Sequence, residues 1–161
     1  SVIPFFLKEK ENGVLPITDE RMTRFNITLQ EGVNMVINSL KNSLGGELFI
    51  PKIPSYRILD IAKAIGPNCK LKEVGIRPGE KIHEEMITSA DSPNTYDIGQ
   101  NYVIFPSSGS VKEKYEEKGL KIKRVEEGFS YNSFNNKVYL TVQEIRDLIR
   151  ANIDKDFNPI L

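Results

Sequence analysis

Two nearly identical tetrapeptides, Thr28-Leu29-Gln30-Glu31 and Thr141-Val142-Gln143-Glu144, constrain the fold of this chain more than any other feature. In each, a threonine stands three residues ahead of a glutamate. The threonine hydroxyl can accept from the third helical N–H while the glutamate reaches back to the threonine N–H, a capping box that starts a helix. Behind the first box, Val33, Val36, Ile37 and Leu40 recur at helical spacing up to a Gly45-Gly46 stop. Behind the second, Ile145, Leu148 and Ile149 share one face. The apolar runs between these helices are short and are closed by Pro or Gly, as strands are. Helices alternating with short strands predict an α/β fold.

The remaining elements follow from the same punctuation. Val2 to Leu7 predicts a short helix, with Pro4 in its first turn and Asn12-Gly13 as its stop. Val14 to Thr18 and Glu47 to Ile50 read as strands, and Ser55 is placed to cap a helix carrying Ile58, Leu59, Ala62 and Ile65. A strand over Leu71 to Val74 leads through Gly75-Ile76-Arg77-Pro78-Gly79 into an expected helix with Ile82, Met86 and Ile87. Tyr102 to Phe105 and part of Gly128 to Ser133 read as strands, and the charged stretch Ser107 to Val125 as a solvated excursion.

Composition then excludes several classes. Lys+Arg and Asp+Glu are 22 each, so the basic excess of a nucleic-acid binder is absent. No apolar run approaches the roughly 18 residues of a membrane span, and a soluble, cytoplasmic protein is expected. A single Cys69 and a single His83 cannot together hold zinc. The chain opens on Ser1 with an apolar run directly behind it, which reads as the middle of something longer. Neither G-x-G-x-x-G nor the P-loop pattern occurs, nor a G-x-S-x-G elbow. Tyr-x-x-x-Lys is missed by one residue at Tyr115 to Lys118. A complete enzyme within this chain is not expected, and no catalytic residue and no metal ligand are assigned.

Three features can still bind a ligand. Arg21-Met22-Thr23-Arg24 offers two planar guanidinium forks suited to phosphate oxygens. Arg77, held between Gly75 and Pro78-Gly79, sits on a pre-set turn and loses little entropy on binding. Glu80 beside it can accept from sugar hydroxyls, and the helix expected to follow would turn its free N–H groups toward an anion. Leu15-Pro16-Ile17-Thr18-Asp19 is a Pro-containing edge strand whose free backbone groups can hydrogen-bond a pyrimidine base. Each has an ordinary reading as well, namely surface salt bridges, a Pro-Gly turn and a plain edge strand, and taken singly the ordinary reading is the commoner one.

Taken in order, the motifs narrow the choice. Ser1-Val2-Ile3-Pro4-Phe5-Phe6, Pro16-Ile17-Thr18-Asp19, Arg21-Met22-Thr23-Arg24-Phe25, Phe49-Ile50-Pro51-Lys52 and Arg77-Pro78-Gly79-Glu80-Lys81-Ile82-His83-Glu84 resemble the C-terminal half of the inverting UDP-N-acetylglucosamine 4,6-dehydratases. These are extended short-chain dehydrogenase/reductase enzymes of bacterial surface-polysaccharide and flagellin-glycan pathways. The resemblance implies that residues 1–106 are a nucleotide-sugar substrate-binding region and 107–161 a C-terminal extension, with the N-terminal Rossmann half, its NADP site and its catalytic residues outside this chain. It implies Arg24 and Arg77 as a pyrophosphate clamp, and Glu80 on the ribose or positioning Arg77. Pro16 and Thr18 would lie along the uracil, with Ser1 and Val2 at the cleft wall. The implied substrate is UDP-N-acetylglucosamine, the implied product a UDP-4-keto-6-deoxyhexose, and the implied assembly a homo-oligomer. Another UDP-sugar epimerase or dehydratase of the superfamily, or a non-catalytic UDP-sugar-binding module, is the alternative. The helix after Thr28 and the strand before Pro51 would complete the Rossmann half. In this chain by itself Val33, Val36, Ile37, Leu48 and Ile50 are therefore expected to lack a partner.

Overall fold

The computed structural model describes residues 2–107 and 110–159, so the expectation at Ser1 lies outside the described residues. In chain order the elements are α1 (Val2–Glu9), β1 (Val14–Ile17), β2 (Thr23–Phe25), α2 (Leu29–Asn42), β3 (Leu48–Pro51), β4 (Ser55–Arg57) and α3 (Ile58–Ile65). Then follow β5 (Lys70–Glu73), β6 (Glu85–Ile87), β7 (Thr95–Asp97), β8 (Asn101–Ile104), α4 (Val111–Glu117), β9 (Lys123–Arg124), β10 (Tyr131–Asn132) and α5 (Val142–Asn152). The mixed α/β class agrees with the sequence. Among the described residues no helix is long and apolar enough to cross a membrane.

The chain gathers into two units. The first comprises residues 1–26, 54–84 and 133–161, the second 27–53 and 85–132. The boundary expected after residue 106 divides roles, which packing does not test. Residues beyond 106 contribute to both units, α5 to the first and α4 to the second.

In the first unit α1, α3 and α5 pack with β1 around Phe6, Leu15, Ile17, Ile61, Ile65, Ile145 and Ile149, all almost fully buried. The capping box at Thr141 and Glu144 is formed as predicted. β1 pairs in parallel with β5, Val14 opposite Lys70 through Ile17 opposite Glu73. The period of two in β1 puts Leu15 and Ile17 in the core and leaves Val14 and Pro16 on the other face. β2 pairs antiparallel with β4, Thr23 opposite Arg57 and Phe25 opposite Ser55.

That pairing corrects one expectation. Ser55 is a strand residue rather than an N-cap, and α3 starts behind Arg57 with no side-chain cap. Ser55 is held as a strand residue because its N–H donates to Val138 O and its carbonyl accepts from Leu140 N–H. A second correction concerns residues 82–87, where no helix forms. Ile82 O accepts from the Thr23 N–H, and Glu84 N–H donates to Ser133 Oγ. These lateral bonds use the groups that a helical ladder would need.

The second unit holds a four-stranded sheet ordered β3-β8-β7-β9, antiparallel throughout. Pro51 is tolerated because β3 is its edge. Ser107 to Val125 is not wholly solvated. Val111 and Tyr115, one helical turn apart on α4, are buried against Val103 and Phe105.

The capping box at Thr28 and Glu31 launches α2 as expected, but none of its 14 residues is buried. Leu29, Val36 and Leu40 are 86, 59 and 77 % exposed, and Val33, Ile37 and Leu48 are exposed too. The expected unpartnered face is therefore present, with Ile50 as the exception. It faces into the unit and is buried at 4 %.

Candidate functional site

Both strands of the parallel pair end on the same side of the first unit, where the Val74 N–H donates to Ile17 O at 2.8 Å. Beyond those ends lies a cleft of about 440 Å³. Its walls include Val2 from α1, Pro16 and Thr18 from β1 and the turn after it, and Arg77 and Glu80 from the segment that follows β5. A crevice beyond the carboxyl ends of parallel strands is the usual ligand position in α/β proteins. Five of the seven residues singled out from sequence thus line one cavity.

Arg77-Pro78-Gly79-Glu80 is a type II turn. Proline occupies its second position, Gly79 has φ 82° at the third, and the Glu80 N–H donates to Arg77 O at 3.0 Å. The Glu80 carboxylate folds back to accept the Arg77 N–H at 3.3 Å. The turn is braced through its backbone, and the guanidinium of Arg77 remains free. Among the described residues it has no hydrogen-bond or ion-pair partner in the protein.

Arg24 is in the opposite condition, and it is not among the side chains lining the cleft. Its Nη1 donates to Thr23 O at 2.8 Å and Ile82 O at 2.9 Å. Its Nη2 lies 3.7 Å from a Glu80 oxygen and its Nε 3.7 Å from a Glu84 oxygen. It reaches the cleft through Glu80. Arg21, the other fork of the sequence motif, is fully engaged by Asp19. Its Nε and Nη2 donate to the two carboxylate oxygens at 2.9 and 2.6 Å, and its backbone N–H adds a third bond at 2.8 Å. Those bonds hold the Asp19 carboxyl down at about 2. The ordinary reading applies at Arg21.

A polar knot fixes the segment behind the turn. Ser133, fully buried, donates to Thr23 O at 3.1 Å and exchanges a hydrogen bond with Thr23 Oγ1 at 2.7 Å. Its Oγ also accepts from the Glu84 N–H at 2.9 Å. His83, expected on a helix, instead sets Nδ1 2.8 Å from Thr23 Oγ1 and stacks against Phe134 at 4.7 Å. Burial, reinforced by the positive charges of Arg24 and Arg21, pushes its imidazole below the ordinary value. The Phe25 N–H donates to Glu84 at 2.7 Å. Cys69 packs its sulfur toward Lys10 O at 3.8 Å.

Sequence reasoning missed Phe5 and Phe6, which also line the cleft. The signal was available, because Val2, Phe5 and Phe6 stand at i, i+3 and i+4 of one helix and so share a face. Ser133 had no comparable local signal.

The comparisons with known proteins bear on this arrangement. The family model described as polysaccharide biosynthesis protein matches residues 1–106. The chain belongs to this family. It is 46 % identical over 158 residues to the UDP-N-acetylglucosamine 4,6-dehydratase (inverting) of Campylobacter jejuni serotype O:2, covering 92 % of this chain and 46 % of that protein. It is 32 % identical over 162 residues to the UDP-glucose 4-epimerase of Rickettsia felis, covering 96 % and 46 % respectively. Among solved structures, Pen from Bacillus thuringiensis superposes with a TM-score of 0.75 at 32 % identity, over 92 % of this chain and 45 % of that one. The chain spans about half the length of the curated relatives it matches. The relatives are enzymes, and the resemblance read from the motifs agrees with the comparisons.

A nicotinamide dinucleotide does not fit the residues present. The cradle it needs is a strand, a glycine-rich turn and a helix whose N–H groups meet the pyrophosphate. Among the described residues neither β1 nor β5 runs through such a turn into a helix, and the sequence carries no G-x-G-x-x-G.

Proposed function

We propose that this chain forms the UDP-sugar-binding side of a C5-inverting UDP-N-acetylglucosamine 4,6-dehydratase, a lyase making a UDP-4-keto-6-deoxyhexose. The observation that carries the reading is the free Arg77 guanidinium on a braced turn inside the cleft. A guanidinium without a hydrogen-bond or ion-pair partner among the described residues, set beyond the ends of parallel strands, suits one end of a diphosphate. The cleft volume, about 440 Å³, falls in the usual range for small-ligand pockets, about 300–1,000 Å³. Pro16 and Thr18 lie along the uracil in this reading, with Val2 and Ser1 at the wall. Glu80 serves the ribose or holds Arg77. Arg24 completes the clamp once a phosphate oxygen competes for its Nη2.

These residues bind and orient; none of them is assigned a proton transfer. Remote binding energy of this kind holds the reacting sugar where other groups can act on it. NADP and the catalytic residues belong, in this reading, to protein outside this chain, which is inactive by itself. The working enzyme is a cytoplasmic homo-oligomer. The epimerase alternative is less favoured because identity is 46 % to the dehydratase and 32 % to the epimerase.

Calorimetric titration of the chain with UDP tests the proposal. Saturable binding that Arg77→Ala weakens supports it. No binding at millimolar UDP, or turnover of UDP-N-acetylglucosamine by this chain with NADP alone, overturns it.

A further inference from the structure

The second unit contains a separate cavity of about 460 Å³, lined by the C-terminal turns of α2 and α4 and by residues from the sheet. Three lysines stand on its wall, Lys41, Lys118 and Lys121, and no aspartate or glutamate lines it. None of the three ammonium groups has a hydrogen-bond or ion-pair partner among the described residues. In a chain with 22 basic and 22 acidic residues, this is a local surplus of one sign.

The surplus survives an accounting of its surroundings. Glu47 is bonded to this wall, its carboxylate accepting from the Leu44 and Gly45 N–H groups and from the Tyr115 hydroxyl at 3.0 Å. It is satisfied by its own neighbours. The two helix C-termini carry about half a negative charge each. Among the groups on the wall or bonded to it, three ammonium groups against one carboxylate and two such ends leave an excess of about one positive charge. Glu116 and Glu117 of α4 are not in the lining, and Glu116 pairs with Lys112. The rest of the lining includes amides from Asn38, Asn42 and Asn101, the hydroxyl residue Ser39, and an apolar floor containing Phe49 and Tyr115.

We propose that this cavity binds a small organic phosphate, with the phosphoryl group among Lys41, Lys118 and Lys121 and a flat, largely apolar body on Phe49 and Tyr115. The site is distinct from the cleft that carries Arg77, and the proposal stands whether or not that cleft binds UDP.

Phenyl phosphate and inorganic phosphate are the probes, titrated into the intact chain by calorimetry and followed by amide chemical shifts. Phenyl phosphate is expected to bind saturably and to shift amides around residues 38–44 and 115–121. Inorganic phosphate should bind at least about tenfold more weakly, since it lacks the apolar body. The double substitution K118E with K121E changes two exposed side chains, so the fold is expected to survive. It should weaken phenyl phosphate more than about tenfold while leaving the melting temperature and the UDP titration unchanged. Arg77→Ala should leave phenyl phosphate binding intact. No saturable binding at 10 mM probe, on the order of the weakest specific sites, overturns the proposal. So does equal affinity for the two probes, undiminished binding by the double variant, or loss of binding in Arg77→Ala.

Discussion

Arg77 and Arg24 carry the same charge, but the structure predicts opposite consequences for their removal. Arg77→Ala deletes a guanidinium that makes no hydrogen bond or ion pair among the described residues, so no buried polar group is left without a partner. The change should cost ligand binding and almost no stability. A hydrogen bond to a charged group is worth about 1.5–3 kcal/mol, so UDP should bind about 10- to 150-fold more weakly, with the melting temperature unchanged. Arg24→Ala removes donors from Thr23 O and Ile82 O and takes the shared cation from the Glu80 and Glu84 carboxylates. Thr23 O keeps Ser133 Oγ and Ile82 O keeps the Thr23 N–H. The cost is therefore that of two lost charge-assisted bonds beside a side chain only 20 % exposed, about 1–3 kcal/mol of folding stability. The assay is paired: UDP calorimetry and urea denaturation on both variants. If Arg77→Ala destabilises the chain as much as Arg24→Ala does, the guanidinium is a structural brace and the division of labour argued here is wrong. If neither variant changes UDP affinity, the cleft is not a diphosphate site.

Three further outcomes follow from other parts of the molecule. Val36→Lys with Leu40→Lys places charge on the exposed face of α2 and should reduce self-association in sedimentation velocity, at a stability change within about 0.5 kcal/mol; a starting chain that is already monomeric at high concentration contradicts this. The Asp19 carboxyl sits at about 2 against an ordinary 3.8, so its pairing with Arg21 stabilises the fold fully above 3.8 and is lost as pH falls through about 2. The stability gap between the wild type and Arg21→Ala should therefore close across that interval, and a gap that persists to the bottom of it refutes the assignment. A Cβ on Gly66 would lie 2.6 Å from Cys69 Sγ and 3.3 Å from Leu15. Gly66→Ala should cost about 1–3 kcal/mol by overpacking, and Cys69→Ala in the same chain should recover part of that loss on urea denaturation.

What could be read from sequence depends on how far each residue's partner lies along the chain. The capping boxes at Thr28 and Thr141 are legible because threonine and glutamate are three residues apart and satisfy one another. The turn at Arg77 is legible for the same reason, since proline and glycine fix it from within. The helix expected over Ile82 to Ile87 failed because its backbone groups are taken by Thr23 and Ser133, about 60 and 50 positions away. Ser55 failed as a cap for a like cause, its two bonds going to Val138 and Leu140. Arg21 and Arg24 show the limit within one motif. Arg21's partner Asp19 lies two residues away, although the sequence by itself names only ordinary salt bridges there. Ile82 and Glu80, which determine the condition of Arg24, become its neighbours only through the pairing of Thr23 with His83. The same pairing brings a committed arginine to the carboxylate that braces a free one. The site's asymmetry is thus a property of the tertiary fold, while its residue types are a property of the motif.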